Sequence, residues 1–145
     1  MKTKNSMKLI FPSFSQNEYL ARSCVCAFAA QSDPTVAELN DIRSAVSEAV
    51  TNAIVHGYGE GIGFVELSAK IDNEQNLYIK IKDKGVGIED VKKAMEPMFT
   101  TKPDEDRAGL GFAVMTAFMD KVSVRSTLGK GTTVTLRKKL SSRQI

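Results

Sequence analysis

Ser47-Glu48-Ala49-Val50-Thr51-Asn52-Ala53-Ile54-Val55-His56-Gly57 reads as the closing turns of a helix with polar groups four residues apart, at Glu48, Asn52 and His56. At 3.6 residues per turn these positions lie close to one face, while Val46, Val50, Ala53 and Ile54 supply apolar packing around the rest. A carboxylate and an amide one turn apart in so apolar a helix are costly without partners. A bound cation with its phosphates is one such partner, and a solvated helix face is the plainer alternative.

Upstream, Met7 to Phe14 has the pattern of a short strand, which Pro12 places at an edge or ends. Ser15 followed by Glu18 predicts a capping box, and Leu20, Cys24 and Phe28 predict a helix continuing to about Gln31. Asp33-Pro34 predicts the next N-cap, with proline at the first helical position. That helix carries Leu39, Ile42, Val46, Val50 and Ile54, and Gly57 is expected to stop it.

Downstream, Gly57, Gly59, Gly61 and Gly63 mark a loop. Val65, Leu67, Ala69 and Ile71 then alternate with polar residues, as do Leu77, Ile79 and Ile81, with a turn at residues 72–76. Asp83 shares the parity of Leu77, Ile79 and Ile81, so it points toward the core as its strand ends. Lys84-Gly85-Val86-Gly87 breaks the strand, and a short helix is predicted over 89–96, stopped by Pro97. The polar stretch to Ala108 is long enough to suggest a working loop. Gly109-Leu110-Gly111 opens a helix to about Asp120, and strands around Val122/Val124 and Val134/Leu136 flank a turn at 128–131. Residues 141–145 read as a frayed tail. Hairpins dominate, so the expected fold is an α+β two-layer sandwich: a mixed, mostly antiparallel sheet covered on one face by helices.

The 145 residues suit one domain, with ordinary apolar (42%) and charged (26%) content. A formal charge of +3, with basic residues gathered near the C-terminus, reads as a solvated surface and not as a nucleic-acid footprint. No apolar run approaches the ~18 residues of a membrane span. The N-terminus lacks a signal-peptide pattern. Cys24 and Cys26 fit neither a disulfide nor a zinc site, so they read as packing residues in a reducing cytoplasm.

Several features are set to converge at one end of the helical layer. Glu48 and Asn52 come first, then Asp83-x-Gly85-x-Gly87, with glycines that permit close backbone approach. Phe99-Thr100-Thr101-Lys102 follows, and Gly109-Leu110-Gly111-Phe112 runs into a helix N-terminus, where free N–H groups favour phosphate. Gly129-Lys130-Gly131-Thr132-Thr133 adds another glycine turn with hydroxyls. Singly, each has a bland structural reading as a hairpin turn or a surface charge. Together, in this order, they suggest a nucleotide site, and the chain lacks the P-loop and protein-kinase signatures.

The run Ser47–Gly57 resembles the N-box of the GHKL ATPase/kinase superfamily. Asp83-Lys84-Gly85-Val86-Gly87 resembles its first glycine box and Gly109-Leu110-Gly111-Phe112 its second. Within that superfamily, the chain length and Phe99-Thr100-Thr101-Lys102-Pro103 look most like the anti-sigma serine kinases of spore-forming bacteria. The resemblance implies a single GHKL-type (Bergerat) ATP-binding kinase domain over 1–145, using ATP/ADP and Mg2+. It implies Asn52 as the Mg2+ ligand, Glu48 as the general base for a serine hydroxyl, and Asp83 as acceptor of the adenine amino group. Gly85 and Gly87 would let the backbone close on the base, and Thr133 would sit near the adenine with Asp83. Thr101, Lys102, Arg107, Gly109 and Gly111 would form the ATP lid, while His56 reads either as a site residue or, in the favoured reading, as a packed helix-end residue.

The implied partners are a sporulation sigma factor, captured by a homodimer through Glu18 and Arg22, and an anti-anti-sigma factor that serves as phosphorylation substrate. No nucleic-acid or membrane partner is implied. From the residues alone, Glu18 and Arg22 read as the exposed face of an amphipathic helix. The alternatives are a nucleotide-gated anti-sigma module without phosphotransfer and a stress-response anti-sigma kinase. The ATPase domain of a larger machine or sensor is disfavoured because the chain has no phospho-acceptor histidine helix pair.

Overall fold

The computed structural model describes residues 2–96 and 111–141. Its elements are β1 (Thr3–Pro12), α1 (Asn17–Ala30), α2 (Val36–Asn52) running into a π-helical turn (Ala53–Tyr58), β2 (Phe64–Asp72), β3 (Asn76–Asp83), α3 (Val91–Ala94), α4 (Gly111–Phe118), β4 (Lys121–Thr127) and β5 (Gly131–Lys139). The strands form one sheet in the order β1-β2-β3-β5-β4, and every pairing between them is antiparallel. The expected two-layer α+β sandwich is present, and its sheet is antiparallel throughout the described strands instead of mixed.

Period-two alternation produces the layering. Val65, Leu67, Ala69 and Ile71 of β2, Leu77, Ile79 and Ile81 of β3, and Val134 and Leu136 of β5 are buried under the helices. Lys70, Lys80, Lys82 and Arg137 stand on the opposite, open face. Val25 of α1, Ile42, Val46 and Val50 of α2, and Met115 of α4 close the core from the helical side. Each such side chain contributes about 1.5–3 kcal/mol on burial.

Element ends differ from expectation where two local signals compete. β1 begins at Thr3, not Met7, and Pro12 both ends it and lies on an edge strand. The predicted capping box at Ser15 and Glu18 does not form, and α1 starts after Gln16 with no side-chain cap. Glu18 is drawn away from the helix end: it accepts a hydrogen bond from Ser47 Oγ (2.8 Å) and pairs with Arg22 Nε (3.0 Å). The core side of α1 is Ala21, Val25, Phe28 and Ala29, leaving Leu20 exposed.

The N-cap of α2 is Thr35 and not Asp33, which lies in a left-handed bend at φ 54° with Pro34 outside the helix. Thr35 Oγ1 accepts from Glu38 N (3.0 Å), and Glu38 Oε1 accepts from Thr35 N (2.8 Å). The other Glu38 oxygen accepts from Ser141 N (2.9 Å) and Ser141 Oγ (3.0 Å), so Ser141 is tied to α2 and not frayed. Burial pulls the Glu38 carboxyl up, but these hydrogen bonds outweigh it and hold it below the usual carboxylate range. Replacing Thr35 with alanine is expected to cost about 1 kcal/mol, read as a lowered melting temperature.

Gly57 does not stop α2 either. The helix passes into the π-helical turn and ends at Gly59 (φ 59°). Hydrogen bonds from i to i+5 widen the turn over Ala53–Tyr58.

Candidate functional site

Two clusters form at the C-terminal end of α2, joined by the π-helical turn. In the first, Glu48 is buried (9% exposed) and Asn52, one turn later, is half-buried. Gly111, the first residue of α4, lies against both. A Cβ placed on it would stand 3.2 Å from Asn52 Nδ2, 3.3 Å from Asn52 Oδ1 and 3.5 Å from Glu48 Oε2. A glycine lets the start of α4 approach these two side chains without crowding them, with its N–H groups beside them.

In the second cluster, Asp83 points inward as its parity predicts and is 6% exposed. It accepts hydrogen bonds from the backbone N–H groups of Gly85 (2.9 Å to Oδ1) and Thr132. Burial raises its carboxyl above the usual range, and the two N–H donors only partly offset that. The surrounding backbone is interlocked. Gly57 lies over the carboxylate, where an added Cβ would stand 2.9 Å from Asp83 Cγ. Val86 N donates to Gly57 O (2.8 Å), and Gly129 N donates to Val86 O (2.7 Å). A Cβ on Gly85 would fall 1.9 Å from Gly57 O, so that position has room for glycine alone. Gly87 adopts φ 78°, and a Cβ added there would clash with Thr127 O.

Glu48, Asn52 and Gly111 are thus brought together, as are Asp83, Gly85 and Gly87. Thr133 is not where expected. It lies opposite Lys82 and Arg125 on the open face of the sheet, and the residue opposite Asp83 is Thr132. Thr132 shares the parity of the inward Val134 and Leu136, and that signal could have found it. Its Oγ1 lies 2.8 Å from Ser126 Oγ, which donates to Gly131 O (3.0 Å) and accepts from Ile88 N (2.7 Å). Ser126 therefore fixes both the hydroxyl beside Asp83 and the glycine turn after it.

Thr101, Lys102, Arg107 and Gly109 lie outside the described residues. Glu18 and Arg22 are not a freely solvated face: their side chains are 21% and 32% exposed, joined to each other and, through Glu18, to Ser47. Arg22 also stands 5.1 Å from the ring centroid of Tyr19, which with Leu20 supplies the exposed large hydrophobic side chains of α1.

Among the described residues no three His, Cys, Asp or Glu side chains gather to hold a metal. Asn52 beside the N-terminus of α4 fits a different arrangement, in which one protein oxygen and a ligand's phosphates share a hard cation. A shallow groove of about 610 Å3 over Ser68, Lys70, Tyr78 and Lys80 belongs to the open face, away from both clusters. No described helix is long and apolar enough to cross a membrane.

The family model described as a histidine kinase-like ATPase domain matches residues 11–138. The chain is 53% identical over 142 residues to the anti-sigma F factor of Thermoanaerobacter sp. (strain X514), covering 98% of this chain and 99% of that one. It is 55% identical over 139 residues to the anti-sigma F factor of Caldanaerobacter subterraneus subsp. tengcongensis, covering 95% and 96%. Among solved structures, the RsbU and RsbW domains of Rv1364c from Mycobacterium tuberculosis share the fold, with a TM-score of 0.68 at 18% identity over 98% of this chain and 35% of that one. Full-length ShkA in complex with AMPPNP gives 0.61 at 18% identity, over 94% and 32%. Both clusters lie within the matched span, and the chain belongs to the histidine kinase-like ATPase domains and, within them, to the anti-sigma F factor family.

Proposed function

We propose that this protein binds and inhibits a sporulation sigma factor of the sigma F type and, as an ATP-dependent serine kinase, phosphorylates and thereby inactivates the matching anti-anti-sigma factor. The observation that carries this reading is the buried Glu48 beside Asn52 and Gly111: a carboxylate kept within reach of a phosphate-binding helix start has the position a base requires. Asp83 takes the adenine amino group, and Thr132, not Thr133, stands beside it. Gly85 and Gly87 bring the backbone against the base. Asn52 and the N–H groups opening α4 hold the phosphate end, and a magnesium ion bound there would neutralise charge on the phosphates. Glu48 takes the proton of the acceptor serine as it attacks. Thr101, Lys102, Arg107 and Gly109 supply further phosphate contacts, and Glu18 and Arg22 face the protein partners in a homodimer.

Incubation with Mg-ATP and the candidate anti-anti-sigma factor tests the reading. Phosphoserine on the partner is the expected result. Tight ATP binding without transfer would leave a nucleotide-gated sigma-factor trap.

The adenine assignment makes its own prediction. Asp83→Asn is expected to weaken ATP binding by about 1–3 kcal/mol, measured by calorimetry. Because burial raises the Asp83 pKa, ATP affinity should fall as pH drops through that raised value and the acceptor becomes protonated. The stability of the ligand-free fold is expected to follow the opposite trend. A carboxyl with a raised folded pKa contributes stability when protonated, and that contribution is lost as pH rises through the folded value.

A further inference from the structure

Tyr58, the last residue of the π-helical turn, bridges two strands at the point where they separate. The β2–β3 register pairs Glu66 with Lys82, so two residues further on it would set Phe64 opposite Lys84. Instead, Tyr58 Oη stands between them, accepting from Lys84 N (2.7 Å) and donating to Phe64 O (2.5 Å). A phenol can do both at once, so one hydroxyl replaces a rung of the ladder and leaves neither backbone group unsatisfied.

The ring is clamped from outside. A Cβ on Gly63 would fall 2.2 Å from it, and Gly63 is itself fixed to Ser13 through Gly63 N to Ser13 Oγ (3.0 Å) and Ser13 N to Gly63 O (2.8 Å). Gly61 N closes the loop onto Tyr58 O (3.0 Å).

We infer that Tyr58 is a positioning residue for the base pocket: its hydroxyl parts β3 from β2 just past Asp83, so that Gly85 and Val86 can fold back onto Gly57. The inference rests on the nucleotide reading given above and deepens it, since Tyr58 acts through Asp83 and Gly85 without touching the ligand. It concerns base selection and not the phosphate end, because Glu48, Asn52 and Gly111 make no use of this rung.

The test compares ATP and GTP binding by calorimetry in the wild-type chain, Tyr58→Phe and Gly63→Ala, alongside thermal melts. Tyr58→Phe keeps the ring over Gly63 and removes only the hydroxyl, whereas Gly63→Ala pushes the ring, and the hydroxyl with it, off the rung. Both should raise the ATP dissociation constant roughly tenfold while leaving GTP binding near its wild-type value, so that adenine preference narrows. Unchanged ATP binding in both variants would overturn the inference and leave the proposed function intact. An equal loss for both nucleotides, in step with a lowered melting temperature, would overturn it too, by making Tyr58 a stabilising residue only. A wild-type chain that failed to prefer ATP would instead overturn the adenine assignment on which the inference rests.

Discussion

Glu48→Gln is expected to lose phosphotransfer by about 10²–10⁴-fold while still binding ATP. The substitution keeps the shape of the side chain and removes its capacity to take a proton. Glu48 is 9% exposed and lies against the start of α4, where glutamine fills the same space. Transfer of labelled γ-phosphate to the anti-anti-sigma factor, set beside ATP affinity by calorimetry, separates the two effects. Full-rate transfer by the variant would remove Glu48 from the role of base. Loss of ATP binding equal to the loss of transfer would make it a binding residue.

Gly85→Ala is expected to abolish measurable ATP binding, a loss of about a hundredfold or more, and to lower stability by about 1–3 kcal/mol. The added methyl would fall 1.9 Å from Gly57 O, a backbone atom that cannot swing aside. Relief requires breaking the bond from Val86 N to Gly57 O, and with it the cover over Asp83. Gly129→Ala is the matched control. Its Cβ meets nothing within 4 Å, and only its φ of 81° resists substitution. A left-handed alanine costs about 1–2 kcal/mol of stability and should leave the nucleotide contacts in place. A Gly85→Ala protein that titrated ATP normally would refute the close packing of the two glycine turns as a requirement for binding.

Much of the layering was legible in the sequence because a strand buried on one face alternates strictly. β2 and β3 could be assigned from Val65 to Ile81, and Asp83 could be placed inward by parity alone. The ends were harder. Ser15/Glu18 and Thr35/Glu38 carry the same capping pattern, but Glu18 has a tertiary partner in Ser47 that no local pattern reveals. The π-helical turn was hidden because Ala53 and Ile54 stay apolar whichever hydrogen-bond spacing follows. Thr132 and Thr133 are adjacent hydroxyls, and counting back from Val134 separates them. The approach of Gly111 to Glu48 and Asn52 joins residues some sixty positions apart; their convergence was expected from the order of the elements, but local spacing could not supply the contact itself.

The strand made last among those described, β5, is an interior strand. It pairs with β3 on one side and β4 on the other, and it supplies Leu136 to the core and the Thr132 N–H to Asp83. During synthesis, β1, β2 and β3 can pair as they emerge, but β4 has no place in the sheet until residues 131–139 have followed it. A nascent chain stopped short of β5 would hold Glu48 and Asn52 on a helix and Asp83 at an unpaired strand edge. Nucleotide should therefore engage only a finished sheet, and pairing across so many intervening residues makes its closure slow relative to the local hairpin.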